Sequence, residues 1–162
     1  MIPIINQSLL EANTKYIAHQ CNCKSNYSAG LAKSIFTKFP YSDTYKDRIY
    51  TGYNFPGRID VLGNGEDSRF IINMYIQFWP GKPGKDIYDT NGYRIKHLKQ
   101  CLSKIAEISN LESIGFPYNL GCGLAGGNFI EYSKILETFA DYVSKKNVKT
   151  VLYKYDWTKN KR

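Results

Sequence analysis

Nothing in this sequence is long and apolar enough to cross a bilayer: no apolar run approaches the ~20 residues that a spanning helix needs. The opening stretch, Met1 to Asn6, is apolar but too short for a secretory leader, and no basic residue precedes it. The expectation is a cytoplasmic protein, nuclear where the host cell has a nucleus, with no membrane partner. Repeats, linkers and low-complexity tracts are missing too. One domain is therefore expected over residues 1–162, with a short basic tail from about 157. Cysteine is sparse: Cys21, Cys23, Cys101 and Cys122 are the only four, and none forms a C-x-x-C pair. A disulfide framework is thus disfavoured. Cys21 and Cys23 point the same way along a strand, but a Cys-x-Cys bridge is strained, so they read as a reduced buried pair. His19, Cys21, Cys23 and Cys122 fit no structural zinc spacing, so no metal is assigned.

Acidic residues are outnumbered, 14 against 22 basic, which leaves a net charge of +8 and a bias toward anionic partners. Much of the excess sits in Lys145-Lys146 and in Lys159-Asn160-Lys161-Arg162, where solvated charge is the plain explanation. The fourteen tyrosines are scattered, and no basic stripe alternates with aromatics as it would along a nucleic-acid strand. A nucleic-acid partner is accordingly the least favoured of the anionic choices, and a monomer is expected.

What is present is an alternation of strand and helix patterns. Met1–Asn6 and Tyr16–Asn22 read as strands, the second with little polar alternation, as for a strand covered on both faces. Ala29–Phe39 spaces Leu31, Ile35, Phe36 and Phe39 helically, and Pro40 closes it. A further helix is expected over Tyr41–Tyr50, begun near Ser42. Arg58–Leu62 and Arg69–Tyr75 are β-branched runs flanking Gly63-Asn64-Gly65, hence neighbouring strands. Gln77–Thr90, with Pro80, Gly81, Pro83 and Gly84, must be a loop. Ile95, Leu98, Leu102 and Ile105 mark a helix over Tyr93–Ile108. Ser113–Pro117 reads as a strand and Tyr118–Gly127 as a glycine loop. Tyr132, Ile135, Leu136, Phe139 and Val143 share a helix face, and Val148–Tyr153 is the last strand. Such alternation predicts an α/β fold with a mostly parallel sheet, whose ligands bind beyond the carboxyl ends of the strands.

Two loops fall there. The second, Asn119-Leu120-Gly121-Cys122-Gly123-Leu124-Ala125-Gly126-Gly127, carries four glycines in seven residues from Gly121. Glycine permits positive φ and close backbone approach, and consecutive N–H groups beside a helix N-terminus suit phosphate oxygens. A tight strand-to-helix turn would also use glycine. The first loop runs from Asn22 to Gly30 and enters a helix through Ser28-Ala29-Gly30-Leu31-Ala32. Ser28 reads equally as an N-cap or as part of an anion pocket. Asn22, at the end of a buried strand, has an amide suited to a ribose hydroxyl. His19 lies deeper and reads as a core histidine rather than a base.

The segments YIAHQCNC, SAGLAKSIFTKFP, IINMYIQ and PYNLGCGLAGGNF, in that order between about Ile4 and Tyr153, resemble the macrodomain family. The likeness is to the small members related to ADP-ribose-1″-phosphate phosphatase and the terminal ADP-ribose glutamate hydrolases. It implies a three-layer α/β/α sandwich with a mixed, largely parallel sheet, and no metal or redox cofactor. It implies a ligand, ADP-ribose or an ADP-ribosylated substrate. Gln7, Ser8 and Leu9 would lie beside the adenine. Asn22, flanked by Cys21 and Cys23, would contact the distal ribose. Ser28, Ala29, Gly30, Leu31 and Ala32 would embrace ribose and diphosphate, and Asn119, Leu120, Gly121, Cys122, Gly123, Leu124 and Ala125 would form the second phosphate loop.

Three positions depart from the family pattern. Gln7-Ser8 stands where members carry Gly-Asp, Ala125 where the glutamate hydrolases carry an acid, and Asn128 where relatives carry an aspartate. An amide cannot be a general base. Asn22 and Asn128 are the catalytic candidates, with a lysine of the Lys82–Lys85 segment as the alternative. The leading expectation is an enzyme that hydrolyses a substituent on the distal ribose. A non-catalytic ADP-ribose binder is second and a basic nucleic-acid-binding domain third.

Overall fold

The computed structural model describes residues 1–46, 48 and 55–155. Among these residues nine α-helices and strands follow in order: β1 (Ile4–Ile5), β2 (Tyr16–Asn22), α1 (Gly30–Lys38), β3 (Ile59–Leu62), β4 (Phe70–Gln77), α2 (Asn91–Ala106), β5 (Ser113–Pro117), α3 (Phe129–Ser144) and β6 (Lys149–Tyr153). The strands form one sheet in the order β1-β6-β5-β2-β4-β3. All neighbours pair parallel except β3, which returns antiparallel along β4.

The sheet is covered on both sides, and the period-2 alternation of its strands divides the core in two. Tyr16 and Ala18 of β2, Met74 and Ile76 of β4, and Phe116 of β5 meet Leu98, Leu102 and Ile105 of α2 and Leu136, Phe139 and Val143 of α3. Ile17 and Cys21 of β2, Tyr75 of β4 and Val151 of β6 meet Ile35 and Phe36 of α1 with Leu9 and Tyr45. The architecture is the expected three-layer α/β/α sandwich with a mixed, largely parallel sheet. No helix among the described residues is long and apolar enough to cross a membrane.

Two elements differ from expectation by more than one or two residues at their ends. The strand expected over Met1–Asn6 contracts to Ile4–Ile5, because this edge strand pairs only with Leu152 and Tyr153 and the Gln7 amide turns back onto the Ile5 carbonyl. The helix expected over Tyr41–Tyr50 is a single 3-10 turn at Pro40–Ser42. Ser42 does not cap a new helix; its hydroxyl donates back to the Phe39 carbonyl, and Asp43 leaves the turn in extended conformation. Asp47 and residues 49–50 of that segment, and the basic tail from about 157, lie outside the described residues.

Candidate functional site

Five parallel strands point their carboxyl ends the same way, and a cleft of about 1100 Å³ opens along that edge. Its floor is made by the terminal residues of four strands: Asn22 of β2, Gln77 of β4, Pro117 of β5 and Tyr153 of β6. This is the crevice beyond the strand ends where open α/β sheets take ligands.

One wall is the loop after β2. At Cys21–Asn22 the pairing with β4 shifts register, so that Asn22 lies opposite Gln77 rather than continuing the ladder. The shift swings Asn22 to the cleft, where its carbonyl oxygen organises the loop. Oδ1 accepts from the Lys24 and Ser25 amides at 3.0 and 2.9 Å and from the Ser25 hydroxyl at 3.1 Å. Arg48 lies over the Tyr45 ring and donates to the Ser25 and Asn22 carbonyls, closing the loop from behind. The acceptor face of Asn22 is thus occupied, while Nδ2 has no partner among the described residues. What the side chain offers the cleft is a donor, fixed in place by its own oxygen.

The opposite wall is the loop after β5, and its glycines serve different ends. Gly121 has φ +70°, and a Cβ there would strike the Tyr132 ring and approach Gln20 Oε1 to 2.5 Å. Gly127 lies against the Gly121 carbonyl, which a Cβ would meet at 2.6 Å. Both are required by the turn itself. Gly123 has neither constraint: a Cβ there meets nothing within 4 Å and its φ is ordinary. It lines the cleft, so its bareness leaves main chain open to the space. The two walls touch where Leu124, 70% exposed, reaches Gly30; a Cβ on Gly30 would stand 3.2 Å from Leu124 Cδ1.

A third wall, the 78–90 loop, contributes Pro80 and Gly81. It is held by a buried ion pair, Asp89 with Arg94 of α2, at 2.8 Å. From the same loop the Lys82 stem lies against the second glycine loop, 2.9 Å from where a Gly126 Cβ would be. At the far end of the cleft Tyr118, Tyr153 and Tyr155 supply aromatic surface, with the Lys154 ammonium 4.6 Å from the Tyr118 ring centre.

Of the residues expected to bind ligand, Ser8, Leu9, Asn22, Ala29, Gly30, Leu31, Ala32, Asn119, Leu120, Gly121, Gly123, Leu124 and Ala125 line this one cleft. The remaining five do not line it. Cys21, on the face of β2 that turns toward α1, and Cys23, one residue past the strand, are buried among Ile35, Phe36 and Tyr45. Burial pushes the Cys23 thiol up to about 12 and that of Cys21 further, so neither is a nucleophile at neutral pH. Cys122 packs toward the core and donates to the Leu120 carbonyl. Gln7 donates through Nε2 to the Glu11 carbonyl. Ser28 does not cap α1: Ala29 holds that position, without a side-chain bond. Ser8 lines the cleft, but its hydroxyl oxygen accepts from the Leu10 amide.

Asn128, a catalytic candidate, is the N-cap of α3. Its oxygen accepts from the Glu131 amide at 3.1 Å and it lies outside the cleft lining. This placement makes it a helix cap. His19 is buried, edge-on to Phe36, and bonded through Nε2 to Asn73 Oδ1 at 2.7 Å. Burial lowers its pKa to about 4. It is the core histidine expected.

Several residues in or beside the cleft escape sequence reasoning. Gln20, Gln77 and Trp79 form a relay in which Gln20 Nε2 donates to Gln77 Oε1, and Gln77 Nε2 to the Trp79 carbonyl, each at 2.7 Å. Polar residues at or near the ends of two buried strands were the available signal. Arg94 gave another: with Leu98, Cys101 and Ile105 it falls on the apolar stripe of α2, where a cation has no solvent to face.

The class of molecule is therefore an α/β/α sandwich with a deep cleft at the carboxyl edge of its sheet, walled by two touching glycine loops. No protein-family model matches the chain. It is 25% identical over 142 residues, 81% of its own length and 83% of the relative's, to an uncharacterized 17.5 kDa protein from the tk-vs intergenic region of Enterobacteria phage T4. Among solved structures it superposes on the macrodomain of Thermus aquaticus DarG with a TM-score of 0.72 at 22% identity, covering 96% of this chain and 98% of that one. Thermosipho africanus DarTG in complex with ADP-ribose matches with a TM-score of 0.67 at 17% identity, over 98% of this chain and 42% of the other. The chain has the macrodomain fold.

Proposed function

We propose that this protein binds ADP-ribose or a derivative of it in the cleft, and hydrolyses a substituent on the distal ribose: a phosphomonoester, as in ADP-ribose-1″-phosphate, or the ester of a mono-ADP-ribosylated protein. The observation that carries the reading is the second glycine loop. Gly123 presents main chain to open cleft without a Cβ, and Gly30 at the start of α1 lines the same cleft, so a diphosphate there would meet backbone of both loops. Ribose hydroxyls would meet the Asn22 Nδ2 donor, and the base would lie against the tyrosines at the other end. Binding is tested by calorimetry with ADP-ribose, AMP and ribose-5-phosphate. Micromolar affinity, about −8 kcal/mol, is expected for the first; no binding of ADP-ribose at millimolar concentration refutes the reading. Hydrolysis is tested by product analysis after incubation with ADP-ribose-1″-phosphate and with mono-ADP-ribosylated protein.

One observation favours a second reading, a binder without turnover. The only acidic residue lining the cleft among the described residues is Glu11, which is ion-paired with Lys38 and lies by Ser8 and Leu9, not by Asn22. With no carboxylate at the ribose end, the candidate groups for hydrolysis are Asn22 as the positioner of a water and Lys82, whose stem is held against Gly126. Absence of product from both substrates, with binding intact, decides for the binder.

A further inference from the structure

Arg94 is 1% exposed, Asp89 likewise, and neither lines the cleft. All five guanidinium N–H groups of Arg94 are engaged, and they reach three segments. Nε and Nη2 clamp the Asp89 carboxylate at 2.9 and 2.8 Å. The second Nη2 proton goes to the Trp79 carbonyl at 3.3 Å. Nη1 donates to the carbonyls of Gly81 at 2.8 Å and Ala125 at 3.1 Å. Asp89 in turn accepts the amides of Phe78 and Trp79, both at 3.1 Å. The pair thus gathers both ends of the 78–89 loop and fastens them to the second glycine loop.

A buried ion pair is a poor device for stability alone, since apolar side chains of equal volume commonly do as well. What an apolar pair could not do is hold Gly81 and Ala125, two cleft-lining residues from different walls, at a fixed distance from each other. Lysine could not do it either, because a point charge on a flexible stem lacks the planar fork. We propose that Asp89 and Arg94 are the positioning residues of the cleft: they lock the 78–89 loop and the second glycine loop into one unit, and ligand affinity depends on that lock. The affinity clause rests on the ADP-ribose reading of the cleft; the lock does not.

The test compares wild type with Arg94→Lys and Asp89→Asn by hydrogen–deuterium exchange and by ADP-ribose titration. Amides of both loops, 78–89 and 121–127, are expected to exchange about tenfold faster in step, while those of β2 and β5 keep their protection. Affinity for ADP-ribose is expected to fall about tenfold or more, because displaced walls no longer meet the ligand together. Wild-type affinity in a folded Arg94→Lys variant overturns the proposal, as does faster exchange in one loop only. Should both single variants fail to fold, the double variant Asp89→Leu with Arg94→Met removes the lock without leaving a buried charge alone, and the same two readouts apply. If wild type itself does not bind ADP-ribose, the reading of the cleft fails while the exchange measurement still decides the lock.

Discussion

Gly123→Val is the substitution that separates a phosphate-cradling loop from a merely tight one. In the unliganded protein the change should be nearly silent: φ at Gly123 is ordinary, and an added Cβ finds nothing within 4 Å. Stability should shift by no more than about 1 kcal/mol, the scale of a glycine replacement at a compatible backbone, or roughly 2–4 °C in melting temperature. In the complex the three added carbons stand where main-chain N–H groups should reach phosphate oxygens. Each charge-assisted bond is worth about 1.5–3 kcal/mol, and loss of one removes that much. At ~1.4 kcal/mol per decade that is roughly a 10- to 100-fold weaker complex. Calorimetric titration with ADP-ribose, alongside a circular-dichroism melt, reads both quantities. A folded variant that binds as tightly as wild type would falsify the assignment of this loop to the phosphates.

Gly121→Ala should do the reverse and damage the fold, because φ +70° and the Tyr132 ring both oppose a Cβ; a loss of at least about 2 kcal/mol, or ~4–8 °C, is expected in a thermal melt. Asn22→Asp keeps the oxygen that accepts from Lys24 and Ser25 but replaces the Nδ2 donor. Its melting temperature should stay near wild type while ADP-ribose affinity drops about 10- to 100-fold, the worth of one bond left unmade; unchanged affinity removes Asn22 from the ribose site. Asn128→Asp exchanges one good N-cap for another, so turnover and affinity should both be unaltered, and a gain in rate would return Asn128 to the mechanism. His19 binds its proton more weakly folded, at about 4, than unfolded, at 6.5. Stability is then full above pH 6.5 and falls by about 3 kcal/mol toward pH 4, a slope that His19→Gln should flatten in melts taken across that range.

Most of the fold was legible because its strands are buried on both faces and its helices carry clear apolar stripes. β2 has the bounds its composition suggests, and α1 starts one residue after Ala29 and ends one before Phe39. Where the reading failed, local signals were overridden. Ser42 resembles a helix start, yet its hydroxyl closes a 3-10 turn, while Tyr45 just beyond it is drawn into the core beside Cys21 and Phe36. The hydrophobic N-terminus promised a longer strand than an edge position with a single neighbour sustains.

The site was legible only as far as main-chain chemistry shows in a sequence. Glycine clusters and a polar strand terminus locate the two walls, but not which glycine serves the turn and which the cleft. That distinction comes from what surrounds each Cα: Tyr132 behind Gly121, open space before Gly123. Side-chain direction is equally hidden. Cys21 and Cys23 flank Asn22 in the chain, yet both thiols are buried in the core while Asn22, past the register shift, lines the cleft. Least legible was the tie between walls, since Gly81, Asp89, Arg94 and Ala125 are spread over more than forty residues and meet only around one guanidinium. Arg94 breaks the apolar pattern of its helix, and that breach is the one mark the tie leaves on the sequence. A cation placed where α2 should be apolar contributes little to packing; its consequence is to carry the 78–89 loop, and Lys82 with it, to the edge of the second glycine loop.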